Sequence, residues 1–180
     1  SSPALADLNG DGLVDLVIGA DQSTGGVLWY FENTGTARSP AFALIDTLFG
    51  GIAGNNTFAP AFADLTGDGT LDLAVGFFSG AVKIYANTGT STHHAYGLTP
   101  DIVLVTGPTN ASPAFTDIDG DGDLDLFVGK ANGRILLYRN EGTPTQPQFS
   151  LASTNFEGIS VGENAKPVFV DIDTDGDPDL

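Results

Sequence analysis

The sequence predicts an all-β fold assembled from copies of one four-stranded unit. Three observations predict it. Prolines recur at one phase, Pro3, Pro60, Pro113 and Pro167, every 53 to 57 residues. An acidic, glycine-rich loop follows each proline a few residues later, and the runs between loops are short and rich in β-formers, too short for helices.

The elements follow in order. After each proline comes an extended run, expected over Ala4–Leu8, Ala61–Leu65, Ala114–Ile118 and Val168–Ile172. The acidic loop then leads into a second apolar run, Leu16–Gly19, Leu73–Gly76 and Leu126–Gly129, which reads as a strand. Hairpin signals stand next at matching places: Gly25-Gly26, Ser79-Gly80 and Asn132-Gly133, the last a two-residue turn in which both positions tolerate positive φ. Third strands are expected over Val27–Asn33, Ala81–Asn87 and Arg134–Asn140, which align without gaps and all end in Asn. The next residues, Thr34-Gly35-Thr36, Thr88-Gly89-Thr90 and Glu141-Gly142-Thr143, turn the chain into a fourth strand starting near Phe42, Tyr96 and Phe149. Four antiparallel strands per unit is the plan of a β-propeller blade.

The chain therefore reads as three complete blades (1–56, 57–110 and 111–163) and the start of a fourth (164–180), in one continuous domain. Within the third strand Leu28, Val82 and Ile135 align, as do Tyr30, Ile84 and Leu137, so one apolar face is expected against the neighbouring blade. Trp29 aligns with Lys83 and Leu136. A ligand-stacking role is conceivable for it, but packing between blades is the simpler expectation.

The loops run Asp7 to Asp15, Asp64 to Asp72, Asp117 to Asp125 and Asp171 to Asp179, and all fit D-x-x-x-D-G-x-x-D. They hold sixteen of the 23 acidic residues, so the charge is concentrated where a cation would neutralise it. Hard Ca²⁺ takes six or more oxygens, and side chains at positions one, three and five of a tight turn supply them. Those positions are Asp7, Asn9 and Asp11; Asp64, Thr66 and Asp68; Asp117, Asp119 and Asp121; Asp171, Asp173 and Asp175. Gly12, Gly69, Gly122 and Gly176 at position six permit the turn and free the carbonyl of residue seven, namely Leu13, Thr70, Asp123 and Asp177. Asp15, Asp72, Asp125 and Asp179 close the cage at position nine. Up to four Ca²⁺ ions are expected. An EF-hand begins with the same spacing but needs Glu at position twelve between helices; here position twelve is Ile18, Val75 and Val128, on strand-like flanks. Asp-Gly clusters also make ordinary turns, yet four copies in register favour the metal.

On these loops and repeats the sequence resembles the FG-GAP or VCBS repeat family, the blades of integrin-α-type propellers and of many secreted bacterial and lectin-like proteins. The resemblance covers essentially the whole chain. It implies that each loop joins the first and second strands of a blade and holds Ca²⁺. Thr66 departs from the usual acid or amide at position three, and Thr174 from the usual Gly at position four. The literal Phe-Gly and Gly-Ala-Pro signatures are absent, which places the chain nearer the bacterial VCBS-like branch.

Composition narrows the functions. A hydrophobic share of 41% and a mean hydropathy of +0.07 suffice for a core. A net charge of −17 against six Lys and Arg repels nucleic-acid phosphate and anionic membranes. No apolar run approaches the roughly 18 residues of a spanning helix. Without Cys there are no disulfides, thiolate nucleophiles or thiolate-held metals. Gly158-Ile159-Ser160-Val161-Gly162 matches a nucleophile elbow, but no helix pattern follows it. His93 and His94, adjacent, would face opposite ways on a strand and belong to a loop tip. Asn55 and Asn110 head glycosylation sequons between units.

The expectation is a non-enzymatic, calcium-stabilised propeller module that presents loops to a protein or carbohydrate partner. The alternatives are an appended domain of a secreted hydrolase and a lectin with glycan sites between blades. Exposed sites of this kind fill at millimolar calcium, so the expected address is extracellular or periplasmic. Loop two, with Thr66, should bind most weakly, and loops three and four, with most carboxylates, most tightly. With no Met and fewer residues than the roughly 320 of a six-bladed ring, the chain is expected to be a piece of a longer propeller or a homo-oligomer that completes one.

Overall fold

The computed structural model describes residues 2–22, 25–54, 58–174 and 178–180. In the first sheet β1 (Ser2–Ala6), β2 (Asp15–Gln22), β3 (Gly25–Asn33) and β4 (Phe42–Asp46) lie side by side in chain order, with the two-residue β5 (Ala53–Gly54) paired to β3. The second orders β6 (Phe58–Ala63), β7 (Asp72–Phe77), β8 (Ala81–Tyr85) and β9 (Ile102–Val105). The third orders β10 (Ala111–Thr116), β11 (Asp125–Lys130), β12 (Ile135–Asn140) and β13 (Phe149–Ser153). Every pairing is antiparallel, and no α-helix occurs among the described residues. These sheets are the expected blades.

The ladders differ from the sequence expectation at their ends. First strands start and stop about two residues earlier than expected, because the residue after Ala6, Ala63 and Thr116 is the first loop Asp, whose carboxylate gathers loop N–H groups instead of continuing the ladder. Pro3, Pro60 and Pro113 sit inside these strands, opposite Ile18, Val75 and Val128. An edge strand tolerates a residue with no N–H to give. Second strands begin on the last loop Asp.

The hairpins also shift. Gly25 and Gly26 lie within β3, paired to Gln22 and Asp21, so the expected Gly-Gly turn is a ladder segment. In the other blades Gly80 N–H bonds Phe77 O and Gly133 N–H bonds Lys130 O, and only the glycine takes positive φ. Blade two departs further: Tyr96 makes a single bridge to Asn87, and the fourth strand waits until Ile102, after Gly97 and Pro100. In the fourth unit the described residues form one bridge, Val170 to Asp179, rather than the strand expected over Val168–Ile172.

The core lies in layers between blades. Val17, Leu28 and Tyr30 of the first blade cluster with Phe58, Leu73, Val75 and Phe77 of the second. Ala74, Val82 and Ile84 then meet Leu126, Val128 and Tyr138 of the third, and Phe127, Ile135 and Leu137 meet Ala165 and Phe169. The aligned third-strand positions all fall on these buried faces, as expected. β7 and β11 are buried on both faces, whereas β2 alternates between buried and half-buried residues. Trp29 is half-buried on the outer side of β3.

Glycine sets the spacing between blades. A Cβ on Gly19, Gly76 or Gly129 would collide with the carbonyl of Phe58, Ala111 or Ala165, two residues ahead of the next blade's proline. Only a bare backbone permits this approach.

Candidate metal centre

In the first three blades each loop spans the first and second strands, and every loop is wound around its own first carboxylate. Asp7 accepts N–H bonds from Gly10 (2.8 Å) and Gly12 (2.9 Å), and Asp117 from Gly120 (2.7 Å) and Gly122 (3.0 Å). Asp64 accepts from Asp68 and Gly69, and Asp171 from Thr174. The turn needs left-handed residues at positions four and six. Glycines hold both in the first three loops, with φ of 73° and 83° at Gly10 and Gly12. Thr174 adopts φ 64° where its counterparts are glycines, a strained state for a β-branched residue. Position five caps the turn: Asp11, Asp68 and Asp121 accept from the N–H of Leu13, Thr70 and Asp123.

Position nine is the structural surprise. Asp15, Asp72 and Asp125 are almost fully buried. Oδ2 of each accepts the N–H of position two (Leu8, Leu65, Ile118), and Oδ1 accepts the N–H of an Asn at 2.8 Å. That Asn ends the third strand in blades one and three (Asn33, Asn140); in blade two the strand stops at Tyr85 rather than at the expected Asn87, which lies two residues past it. Tyr30 adds a hydroxyl bond to Asp15. The Asn carboxamide works in the opposite direction: Oδ1 of Asn33, Asn87 and Asn140 accepts two N–H groups from the turn before the fourth strand. One buried carboxylate and one buried amide thus lock the loop to the far half of its blade. Sequence reasoning noticed these Asn residues without a role for them; their recurrence as the last residue of three gap-free copies was the signal.

The carboxylates converge. Ligand atoms of Asp117, Asp119 and Asp125 lie within 4.8 Å of one another, as do those of Asp171, Asp173 and Asp179. These are positions one, three and nine. In loops one and two position three is Asn9 and Thr66; Asn9 bonds Asp11, and Thr66 Oγ1 is buried beside Asp68 without a well-aligned hydrogen bond. At position seven Asp123 is 6% exposed and its Oδ1 has no hydrogen-bond partner. Asp175 and Asp177 lie outside the described residues.

The electrostatics match a crowded cluster of carboxylates. Burial pushes Asp72 and Asp125 above the ordinary carboxylate value, partly offset by their N–H partners. Asp123 is raised by burial and then by Asp121 and Asp125. Asp68 moves the other way, held down by the hydroxyl and N–H of Thr70. Hard oxygen donors, convergence at three positions and an orphaned buried oxygen fit a divalent cation such as Ca²⁺.

The remaining sequence candidates resolve differently. Ser160 bridges Arg134 in a connection with no helix after it among the described residues. His93 is at an exposed turn, whereas the His94 ring packs with Tyr30, Phe49 and Tyr96 beneath loop one. Asn110 donates to Asn164 Oδ1 (2.9 Å) and lines a cavity of about 350 Å³ with Phe58, Phe78, Ser112 and Lys166. Asn55 lies outside the described residues.

Blades with an acidic loop between first and second strands define a bladed repeat protein with candidate cation loops. A family model described as FG-GAP-like repeat matches residues 7–75, 64–128 and 117–180, each match opening on the first Asp of a loop. The chain belongs to this family. Comparison with curated proteins gives no match.

Proposed function

We propose that the chain is a non-catalytic calcium-binding propeller module that works outside the cell or in the periplasm as a scaffold for a protein or carbohydrate partner. The observation that carries the calcium reading is the convergence of positions one, three and nine in loops three and four. The raised Asp125 adds to it, since a divalent ion would relieve it. Asp7, Asp64, Asp117 and Asp171 would hold the ion with their position-three, position-five and position-nine partners, and the carbonyls of Leu13, Thr70, Asp123 and Asp177 would complete each shell. The ion's contribution is cross-linking: it joins a loop to a carboxylate already bonded to the end of the third strand.

A site of about 0.1 mM affinity in about 1 mM Ca²⁺ stabilises the fold by about 1.4 kcal/mol, or about 6 kcal/mol for four sites. That is comparable to a domain's whole stability. Melting in 1 mM calcium and in EDTA tests the reading: the midpoint should fall by many degrees in EDTA, and coincident curves refute it. The cavity beside Phe78 and Asn110 supports the recognition role, because an aromatic face with amides around it suits sugars and peptides alike. A glycan array and a pull-down from extracellular fluid separate those partners.

A further inference from the structure

The residue before the Asn that bonds position nine is Glu32 in the first blade, Ala86 in the second and Arg139 in the third. This register position stands beside the metal loop, because the next residue's N–H bonds the position-nine carboxylate. In the third blade the Arg139 guanidinium bonds Asp119 Oδ2 and lies 3.9 Å from Asp125 Oδ2. Asp119 and Asp125 are two of the three carboxylates that converge in that loop.

We propose that Arg139 is the built-in counter-ion of loop three and that calcium enters this loop only by displacing it. The inference rests on the calcium reading for its displacement half and on the ion pair alone for its counter-ion half. Both contacts come from one nitrogen, Nη1, set between two carboxylates, and a guanidinium cannot be deprotonated at physiological pH. It therefore occupies the oxygens a cation needs whenever the metal is absent. Loop three has five Asp, and carboxylate count alone ranks it among the tightest sites. Arg139 removes that advantage, because a divalent ion must break the pair and then lie near a displaced positive charge. Loop two has only three Asp but faces neutral Ala86. Of the first three loops, loop three thus becomes the one that responds over the highest calcium range.

The amides of Gly12, Gly69 and Gly122 report the first three loops one by one in an ¹⁵N-labelled calcium titration of the whole chain. In the wild-type chain Gly122 should move last. In Arg139→Ala, which copies the second blade, its midpoint should fall about tenfold, the effect of one charge at contact distance from a divalent ion in a solvated site. Arg139→Lys keeps the charge and should stay near wild type. In EDTA the Ala variant should melt a few degrees lower than wild type, and saturating calcium should close the gap. A Gly122 midpoint unchanged by Arg139→Ala, with all three glycines titrating, overturns the displacement and leaves calcium binding intact. No movement of any of the three up to 10 mM calcium refutes the calcium reading and the displacement together, while equal melting of the two proteins in EDTA overturns the counter-ion role itself. If Arg139→Ala does not fold, Arg139→Gln carries the same comparisons.

Discussion

Replacing Gly76 with Ala tests how the blades are spaced. A Cβ there would collide with the Ala111 carbonyl oxygen and lie 2.7 Å from both the Ala111 carbonyl carbon and Pro113 Cδ. A relaxed carbon–carbon contact is about 3.5–4.0 Å, so blade three must retreat from blade two by about 1 Å. Its neighbours cannot yield instead, because backbone and a proline ring are the atoms struck. A gap of about 1 Å forfeits up to about half of each dispersion contact in the layer where Ala74, Val82 and Ile84 meet Leu126, Val128 and Tyr138. Overpacking of this kind costs about 3 kcal/mol, near the upper end of its usual range. For a chain of this length that lowers the melting midpoint by about 6–12 °C. Gly69→Ala is the matched comparison: its φ is +82° but nothing lies within 4 Å of the added atom, so the cost is backbone strain of about 1–2 kcal/mol. Calorimetry of both variants in saturating calcium gives the answer. If Gly76→Ala loses no more stability than Gly69→Ala, close approach at strand two does not set the blade spacing.

The other predictions concern charge. Asp72→Asn places an amide donor where two N–H groups converge, so one buried donor loses its acceptor and stability falls by about 1–3 kcal/mol with or without calcium, as read by urea melts. Without metal, the raised carboxyls of Asp72, Asp123 and Asp125 bind protons more tightly folded than unfolded. Their contribution is fully present below the ordinary carboxylate value near 3.8 and is lost as pH rises through the raised values. Asp68, shifted down, opposes them with the opposite sign. In EDTA the midpoint should therefore rise as pH falls through the raised values toward 3.8, and in calcium it should fall as protons compete for the ligands; a fall in EDTA over that range contradicts the assignment. Lys130 is buried against Thr106 Oγ1 and Gly107 O, and desolvation lowers its pKa. Its cost is present at neutral pH and is relieved as pH rises from the lowered value toward the unfolded lysine value near 10.4. Lys130→Met should be at least as stable as wild type at pH 7 and should flatten that alkaline rise in thermal melts.

Much of this was legible because it was repeated. Proline phase and the apolar positions of the third strand located three blades and their buried faces, and the loop spacing located every carboxylate that converges in loops three and four. Local patterns failed where tertiary contacts decide. Strand ends depend on whether a carboxylate captures the next N–H, which a β-propensity run such as Ala4–Leu8 does not record. The delay of the fourth strand to Ile102 follows from Gly97 and Pro100, which break a run that otherwise resembles its counterparts. Position nine looked like one more metal ligand, since nothing local says that Asn33, Asn87 or Asn140 comes back to bond it. Likewise the last Gly of Leu-Val-Ile-Gly read as an ordinary strand residue, because its reason lies on the next blade. Arg139 was visible in the alignment of third strands, but its approach to Asp119 needed the fold.

The loops also touch forward along the chain. A Cβ on Gly10 would meet Thr92 Cγ2 at 2.7 Å, and one on Gly67 would meet Thr145 Cγ2 at 2.9 Å, so the fourth position of loops one and two nestles under the turn before the fourth strand of the following blade. That turn is itself held by the following blade's Asn87 or Asn140, which bonds that blade's own position-nine Asp. Neighbouring loops are therefore coupled through these turns, and the coupling is mutual: ordering loop three firms the turn that braces loop two, and ordering loop two favours loop three by the same amount. Loosening the third blade's turn at Pro144 or Thr145 should weaken loop two while leaving loop one's own brace at Ser91 and Thr92 in place.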